Sequence, residues 1–261
     1  MRFEDIEVWG FRKALKGMRN PKNSWDKSDS VFEYSCKDCY KHNNLCSECG
    51  KHDPNSYAIE APIIGINDMK LAQQLIRAGS EHRKFMRQIF VSVDVTAPLY
   101  WWKEFDTYKV GTVANSTSTM HKLATTPITL DCFEIDDYEP EIKVTDSIEY
   151  NENDIIINAL MNEGELCMID CLEKLRQKYL ETKDKKYWKE LIRWLPESWL
   201  QTRVVTMSYE NLLAICSKGQ RRYHKLNEWS GQDDNTKPSF ISWARTLPYA
   251  QELIFIDEVE E

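Results

Sequence analysis

No run of apolar residues in this chain approaches the ~20 that a membrane helix requires, and the opening MRFEDIEVWG lacks the apolar stretch of a secretory signal. The expected location is therefore the cytosol. A basic surplus is also missing. Lys and Arg total 34 against 42 Asp and Glu, a net charge of −8, and the chain closes on the acidic run Asp257-Glu258-Val259-Glu260-Glu261. Binding to a duplex phosphate backbone is disfavoured by that balance. A small anion is not, since a few convergent arginines suffice for one phosphate. There is no internal repeat and no low-complexity linker.

What is present is aromatic mass. The 9 Trp, 12 Tyr and 9 Phe among 261 residues are too much apolar surface for a solvated coil. That length buries a sizeable core in one large domain or two modest ones.

Of the 8 cysteines, Cys36, Cys39, Cys46 and Cys49 form two Cys-x-x-Cys pairs six residues apart. In a cytosolic protein such pairs point to metal or reduced thiols rather than disulfides. Two knuckles supply four soft ligands to a tetrahedral structural zinc, with no open position for chemistry. Iron–sulfur clusters also take four thiolates but use other spacings. Four free surface thiols are the plainer alternative, and His42 or His52 could stand in for one ligand. The cluster fills an insertion at 31–56.

The remaining pattern is mixed. Residues 1–30 read as a strand followed by irregular chain. DMKLAQQLIRAG reads as an amphipathic helix from Asp68 to the stop at Gly79, and IFVSVDV (89–95) as a strand. Pro98 begins a helix ended by Gly111. Helical patterns continue at 152–183, 185–194 and 206–218, with a helical tail at 239–254 broken by Pro248. Strands early and helices late give an α+β domain.

The segment FVSVDVTAPLYWWKEFDTYKVGTVANSTSTMH (90–121), with Ala97-Pro98 after a strand, resembles the central segment of the flavin-dependent thymidylate synthases. LIRWLPESWLQTR (191–203) is similar to that family's Arg-x-x-Leu-Pro segment followed by Thr-Arg, and LPYAQEL to its closing helix. The resemblance spans about two thirds of the chain with sparse identities. The family's Arg-His-Arg becomes Thr107, Tyr108 and Lys109. Its following Ser, Glu, Ser and Arg become Thr112, Asn115, Thr117 (or Ser118, one register on) and Thr119. Losing two cations removes roughly 1.5–3 kcal/mol of phosphate recognition per charged hydrogen bond.

The resemblance implies a single thymidylate-synthase-like α+β domain over 1–261. It implies an FAD-dependent methyltransferase that performs reductive one-carbon transfer to dUMP, with methylenetetrahydrofolate as carbon donor and NADPH recharging the flavin. A homotetramer is implied as well. The expected pyrimidine-nucleotide contacts are Lys109, Asn115, Thr117, Ser118, Arg193 and Arg221, with Arg222 an alternative to the last. Those expected at the flavin are His82, Arg83, Thr107, Tyr108 and Arg203. No catalytic residue is assigned.

Each of these residues has a plainer role open to it. The hydroxyl-rich stretch after Gly111 suits neutral hydrogen bonding to a base or sugar, and equally a turn or helix cap. HRKFMR (82–87) is the densest basic patch and could be a solvated turn. Arginines on helix surfaces are commonly solvated. Tyr100, Trp101 and Trp102 suit stacking on a flavin or burial in a core. His121 is an acid–base candidate or a structural histidine, and Cys167 and Cys171 read as core thiols. Two further functions stay open: a nucleotide-binding or interaction protein on the same fold without catalysis, and a related enzyme such as a pyrimidine hydroxymethylase.

Overall fold

The structure is a computed structural model that describes residues 1–35, 59–119, 123–135 and 168–258. The four clustered cysteines, His121 and Cys167 lie outside the described residues. The chain divides into two compact units. The first comprises Met1–Arg2, Val95–Thr107 and Asn115–Arg203, and the second Phe3–Asp94, Tyr108–Ala114 and Val204–Glu261.

The described elements mix strand and helix, as the sequence implied. In chain order they begin with β1 (Arg2–Trp9), α1 (Phe11–Arg19), β2 (Val31–Ser35), β3 (Ile59–Ile63) and α2 (Ile66–Arg77). There follow β4 (Phe90–Pro98), α3 (Leu99–Phe105), β5 (Val113–Ser116) and a helix over 168–182, here α4. The series closes with α5 (Lys185–Arg193), β6 (Leu200–Ser208), α6 (Tyr209–Ile215), α7 (Asn227–Ser230), α8 (Phe240–Arg245) and α9 (Ala250–Leu253). Strands pair in the order β1-β4-β6-β5, and β2 with β3 form a separate antiparallel ribbon. Among the described residues no helix is long and apolar enough to cross a membrane.

Strand β4 shows the period of two that the sequence announced. Val91, Val93 and Val95 are buried on one face, as alternation requires. Ser92 meets Thr206 at 3.1 Å in the second unit, and Thr96 meets Thr202 at 2.7 Å in the first. These hydroxyl pairs are the cross-strand contacts of β4 and β6.

Several boundaries differ from the sequence reading. Helix α1 was expected to be irregular chain. Phe11, Ala14, Leu15 and Met18 recur at helical spacing and are all buried, while Arg12, Lys13 and Lys16 face water. Gly10 precedes it at φ 99°, and a Cβ there would overlap the Gln88 carbonyl oxygen. The helix expected at 206–218 starts only at Tyr209, because 206–208 complete β6. Ser208 and Asn211 form a reciprocal capping box that fixes this start. Cys171, expected in a core, is exposed. Trp101 and Trp102 do enter the core of the first unit, at 0% and 1% exposure. Trp101 stacks on Phe105 at 5.2 Å, and Trp102 Nε1 donates to the Gln201 carbonyl at 2.9 Å.

Asp68 does not stand free in a first helical turn. It is fully buried, and Arg19 Nε donates to its Oδ1 at 2.6 Å. Its Oδ2 accepts from Ser28 Oγ at 2.6 Å and from Ser30 Oγ at 2.5 Å. Burial pushes the Asp68 carboxyl up, but the two hydroxyls and the guanidinium outweigh burial and hold it below its ordinary value. Asp29 takes over the capping of α2, accepting from Asn67 N at 2.8 Å and Asp68 N at 3.0 Å.

Because its folded-state pKa is lowered, the Asp68 contribution is complete above the ordinary carboxylate range and is lost as pH falls through the folded value. Asp68→Asn leaves Arg19 buried without its charge partner and is expected to cost roughly 3–5 kcal/mol. Urea unfolding of both proteins from pH 7 down to pH ~3 checks this: the gap should be largest at neutral pH and shrink on acidification.

Candidate functional site

In the second unit, Tyr108 is tied to the segment after α6. Tyr108 accepts a hydrogen bond from Arg221 Nε at 3.0 Å and donates to Gln220 Oε1 at 3.3 Å. The Arg221 guanidinium carbon lies 4.9 Å from the Trp229 ring and 5.5 Å from the Tyr108 ring, within cation–π range of both. Sequence reasoning had placed Tyr108 at the flavin and Arg221 at the nucleotide; the fold puts them in direct contact.

A cavity of about 560 Å³ lies beside them, within the size range of small-ligand sites. Arg77, Arg83, Arg222 and Tyr108 line it with Ser217 and Gln220, against apolar walls from Ile76, Leu213, Ile254 and Ile256. The lining carries three guanidiniums against the single carboxylate of Asp257. Arg222 is 3% exposed and immobilised, donating to the Cys216 carbonyl at 2.8 Å and paired through both terminal nitrogens with Asp257.

Behind Arg83 sits Glu210, in the first turn of α6. Arg83 Nε reaches its Oε1 at 3.2 Å, and Arg87 bridges both of its oxygens. Burial raises the Glu210 carboxyl, but Arg87 and Arg83 together hold it below its ordinary value. The basic patch at 82–87 is thus partly neutralised by Glu210 of α6, while His82 stays exposed.

The turn after Tyr108 is closed locally. Thr112 Oγ1 donates to the Tyr108 carbonyl at 2.8 Å, and Asn211 Nδ2 holds the Val110 carbonyl at 2.8 Å. Gly111 takes φ 80°, and a Cβ on it would press on the Asn211 amide at 3.1–3.2 Å. Lys109 is exposed.

In the first unit the expected ligand residues are engaged in other ways. Thr107 Oγ1 donates to the Glu104 carbonyl at 2.7 Å, ending α3. The stretch after Gly111 is a strand rather than a loop, and Asn115 and Ser116 on it are exposed. Thr117 N donates to the Thr202 carbonyl at 2.9 Å, and its own carbonyl accepts from Gln201 Nε2 at 3.0 Å. Ser118 is half-buried beside it. Arg203 lies 4.2 Å over the Trp102 ring and donates to Asp106 at 2.9 Å and Gln201 at 3.0 Å. Arg193 is exposed on α5 and pairs with Glu190 in its own helix.

Sequence reading missed Arg77, Ser217 and Gln220. Arg77 reads as an ordinary cation at a helix end, and nothing local marks it as facing a cavity. Among the described residues there is no group of three or more metal-capable side chains.

No protein-family model and no curated protein matches this chain. Solved structures do. The flavin-dependent thymidylate synthase ThyX from Helicobacter pylori, complexed with FAD and dUMP, aligns with a TM-score of 0.54 at 14% identity. That alignment covers 98% of this chain and 99% of the other. A second structure of ThyX from the same organism, also with FAD and dUMP, gives 0.54 at 13% identity over the whole of both chains. At this identity the likeness is one of fold: the chain has a fold like that of the flavin-dependent thymidylate synthases.

Gly111→Ala forces a left-handed backbone on an L side chain and is expected to lose about 1–2 kcal/mol. A lowered thermal-unfolding midpoint for this variant, beside an unchanged one for a surface alanine control, checks it.

Proposed function

We propose that this chain binds a pyrimidine nucleoside monophosphate, with dUMP the first candidate, on a flavin-dependent thymidylate synthase-like scaffold. The observation that carries this is the cavity of the second unit, where Arg77, Arg83 and Arg222 converge with Tyr108 in a space the size of a nucleotide site. Bidentate guanidiniums suit a phosphate monoester. Ser217 and Gln220 offer neutral donors and acceptors, and the isoleucine and leucine walls suit an uncharged ring. Lys109, exposed at the mouth of the neighbouring turn, and Arg221, clamped on Tyr108, belong to the same proposed nucleotide contacts. Asn115, Thr117, Ser118 and Arg193 lie in the first unit and are not part of this proposed cavity site.

A diphosphate at the residues expected to hold FAD would have to displace partners that the fold already supplies. Arg83 and Arg203 already face Glu210 and Asp106, and Thr107 spends its hydroxyl on the chain itself. A second reading, reductive one-carbon transfer to dUMP with FAD, methylenetetrahydrofolate and NADPH in a homotetramer, is favoured by the full-length likeness to a thymidylate synthase holding FAD and dUMP. A thermal-shift panel separates the two. Stabilisation by dUMP alone supports binding. A yellow protein that releases tritium from 5-tritiated dUMP supports the enzyme. No response to any pyrimidine nucleotide, with or without FAD, overturns both.

In the same panel, Arg77→Ala is expected to weaken dUMP roughly 10- to 100-fold, the value of one charged hydrogen bond. Glu210→Gln should tighten it, by releasing Arg83 from its carboxylate. The opposite order of affinities would place the nucleotide elsewhere.

The four cysteines of the 31–56 insertion are proposed to hold a structural zinc, on the strength of their paired Cys-x-x-Cys spacing. Elemental analysis should find zinc in equimolar amount, and Cys36→Ser with Cys49→Ser should abolish it. Iron in its place, or no metal, would refute the assignment.

A further inference from the structure

The first unit contains a second cavity that the nucleotide reading leaves unused. It lies between α4 and α5 and measures about 730 Å³. Met168, Leu172, Leu175, Tyr187 and Trp194 form its walls, and among the described residues lining it the charged groups are the ammoniums of Lys174 and Lys178. On α4, residues 168, 171 and 175 recur at helical spacing, so one stripe of the helix supplies Met168, Cys171 and Leu175. Deeper in the unit, Leu172 packs with Leu191 in the core, which ties the cavity floor to the most buried part of this unit.

Trp194 is the unusual member. It is 65% exposed, yet its ring is held in place, because the indole Nε1 donates to Glu190 Oε2 at 3.1 Å. A large apolar ring fixed open to water costs free energy that a bound apolar molecule would recover. Lys186 sits 4.8 Å over the Tyr187 ring and pairs with Asp184 at 3.1 Å, and it does not line the cavity. Lys178 is partly committed to Glu181 at 2.8 Å, which leaves Lys174 the better placed to meet an anion.

The geometry points to a binding site for an amphipathic monoanion: an aliphatic or aromatic body on the Met168, Leu175 and Trp194 walls, with a carboxylate or sulfonate at the lysine rim. The volume lies within the ordinary range for small-ligand cavities. A phosphorylated nucleotide is a poor fit, since the walls offer almost no hydrogen-bonding partner for a base or sugar. Cys171, exposed on the same wall, provides a built-in reporter.

The test uses the full chain with laurate, its uncharged analogue dodecanol, and the fluorescent anion anilinonaphthalene sulfonate. The sulfonate should bind saturably and be displaced by laurate, and laurate should slow iodoacetamide labelling at Cys171, read by peptide mass spectrometry. The double variant Lys174→Glu, Lys178→Glu should weaken laurate roughly tenfold or more while leaving dodecanol unchanged. Trp194→Ala should weaken both. All three side chains are exposed at the surface or the cavity rim, and unchanged circular dichroism verifies the fold. The proposal is overturned if charge reversal leaves laurate affinity unaltered, if Cys171 is not protected, or if the sulfonate fluorescence instead tracks self-association seen by light scattering.

Discussion

A guanidinium withdrawn from water must meet a carboxylate, and removing the partner costs far more than the pair contributes. That constraint runs through both units. Arg19 is matched by Asp68, and Arg222 by Asp257 and Glu258. Arg176 is matched by Glu173, whose carboxyl its hydrogen bonds help hold down to about 2. Arg203 is matched by Asp106 and Arg83 by Glu210. With 42 acidic residues against 34 basic ones, a carboxylate is within reach of almost any arginine the fold brings inward. The consequence for function is direct. A phosphate entering the cavity of the second unit meets guanidiniums that already have partners, so its affinity is set by the difference between phosphate and carboxylate as partners. On the proposed reading, a phosphate competes with Glu210 for Arg83, which is 25% exposed, and with Asp257 for Arg222, which is 3% exposed, so Arg83 is the more easily re-partnered of the two.

The altered signature positions fit the same logic. Where the resembled family carries Arg-His-Arg, this chain has a hydroxyl that caps its own helix at Thr107, a phenol at Tyr108 and an exposed ammonium at Lys109. Tyr108 brings no charge, but it orients one: its oxygen holds Arg221 Nε while its ring and that of Trp229 flank the guanidinium. A cation supplied by the chain after α6 thus stands next to the position where the family's signature would place its own.

Much of the fold was legible because it rests on periodicity. The alternation of valines in 89–95 and the apolar stripe of 68–78 are direct consequences of burying one face. Helix α1 carried an equally clear stripe in Phe11, Ala14, Leu15 and Met18, hidden by the basic residues between them. The start of α6 was written in Ser208 and Asn211, a capping pair that the surrounding helical composition obscured. Cys171 was misjudged because spacing on one helix face shows that two residues are neighbours, not whether that face is covered. The site was less legible than the fold. Arg83, Tyr108 and Arg221 could be named from sequence, yet Arg77 and Gln220 enter the cavity only through tertiary packing, and Glu210 gives no hint locally that two arginines converge on it.

The aromatic residues show how a resemblance and elementary packing divide the work. Tyr100, Trp101 and Trp102 follow the Ala-Pro of the resembled family, where a flavin-facing role was one expectation. Burial of Trp101 and Trp102 to within 1% of complete, with Trp102 spending its indole N–H on the Gln201 carbonyl, commits these rings to the first unit's interior. Arg203, 4.2 Å above Trp102, covers one face of that ring and completes its burial. A planar guanidinium in that position does for the ring what a stacked heterocycle would do, at the expense of a cation no longer able to reach outward while Asp106 holds it. Packing alone therefore accounts for these side chains: Trp101 and Trp102 fill the first unit's core, and Arg203 closes over Trp102 while Asp106 holds it.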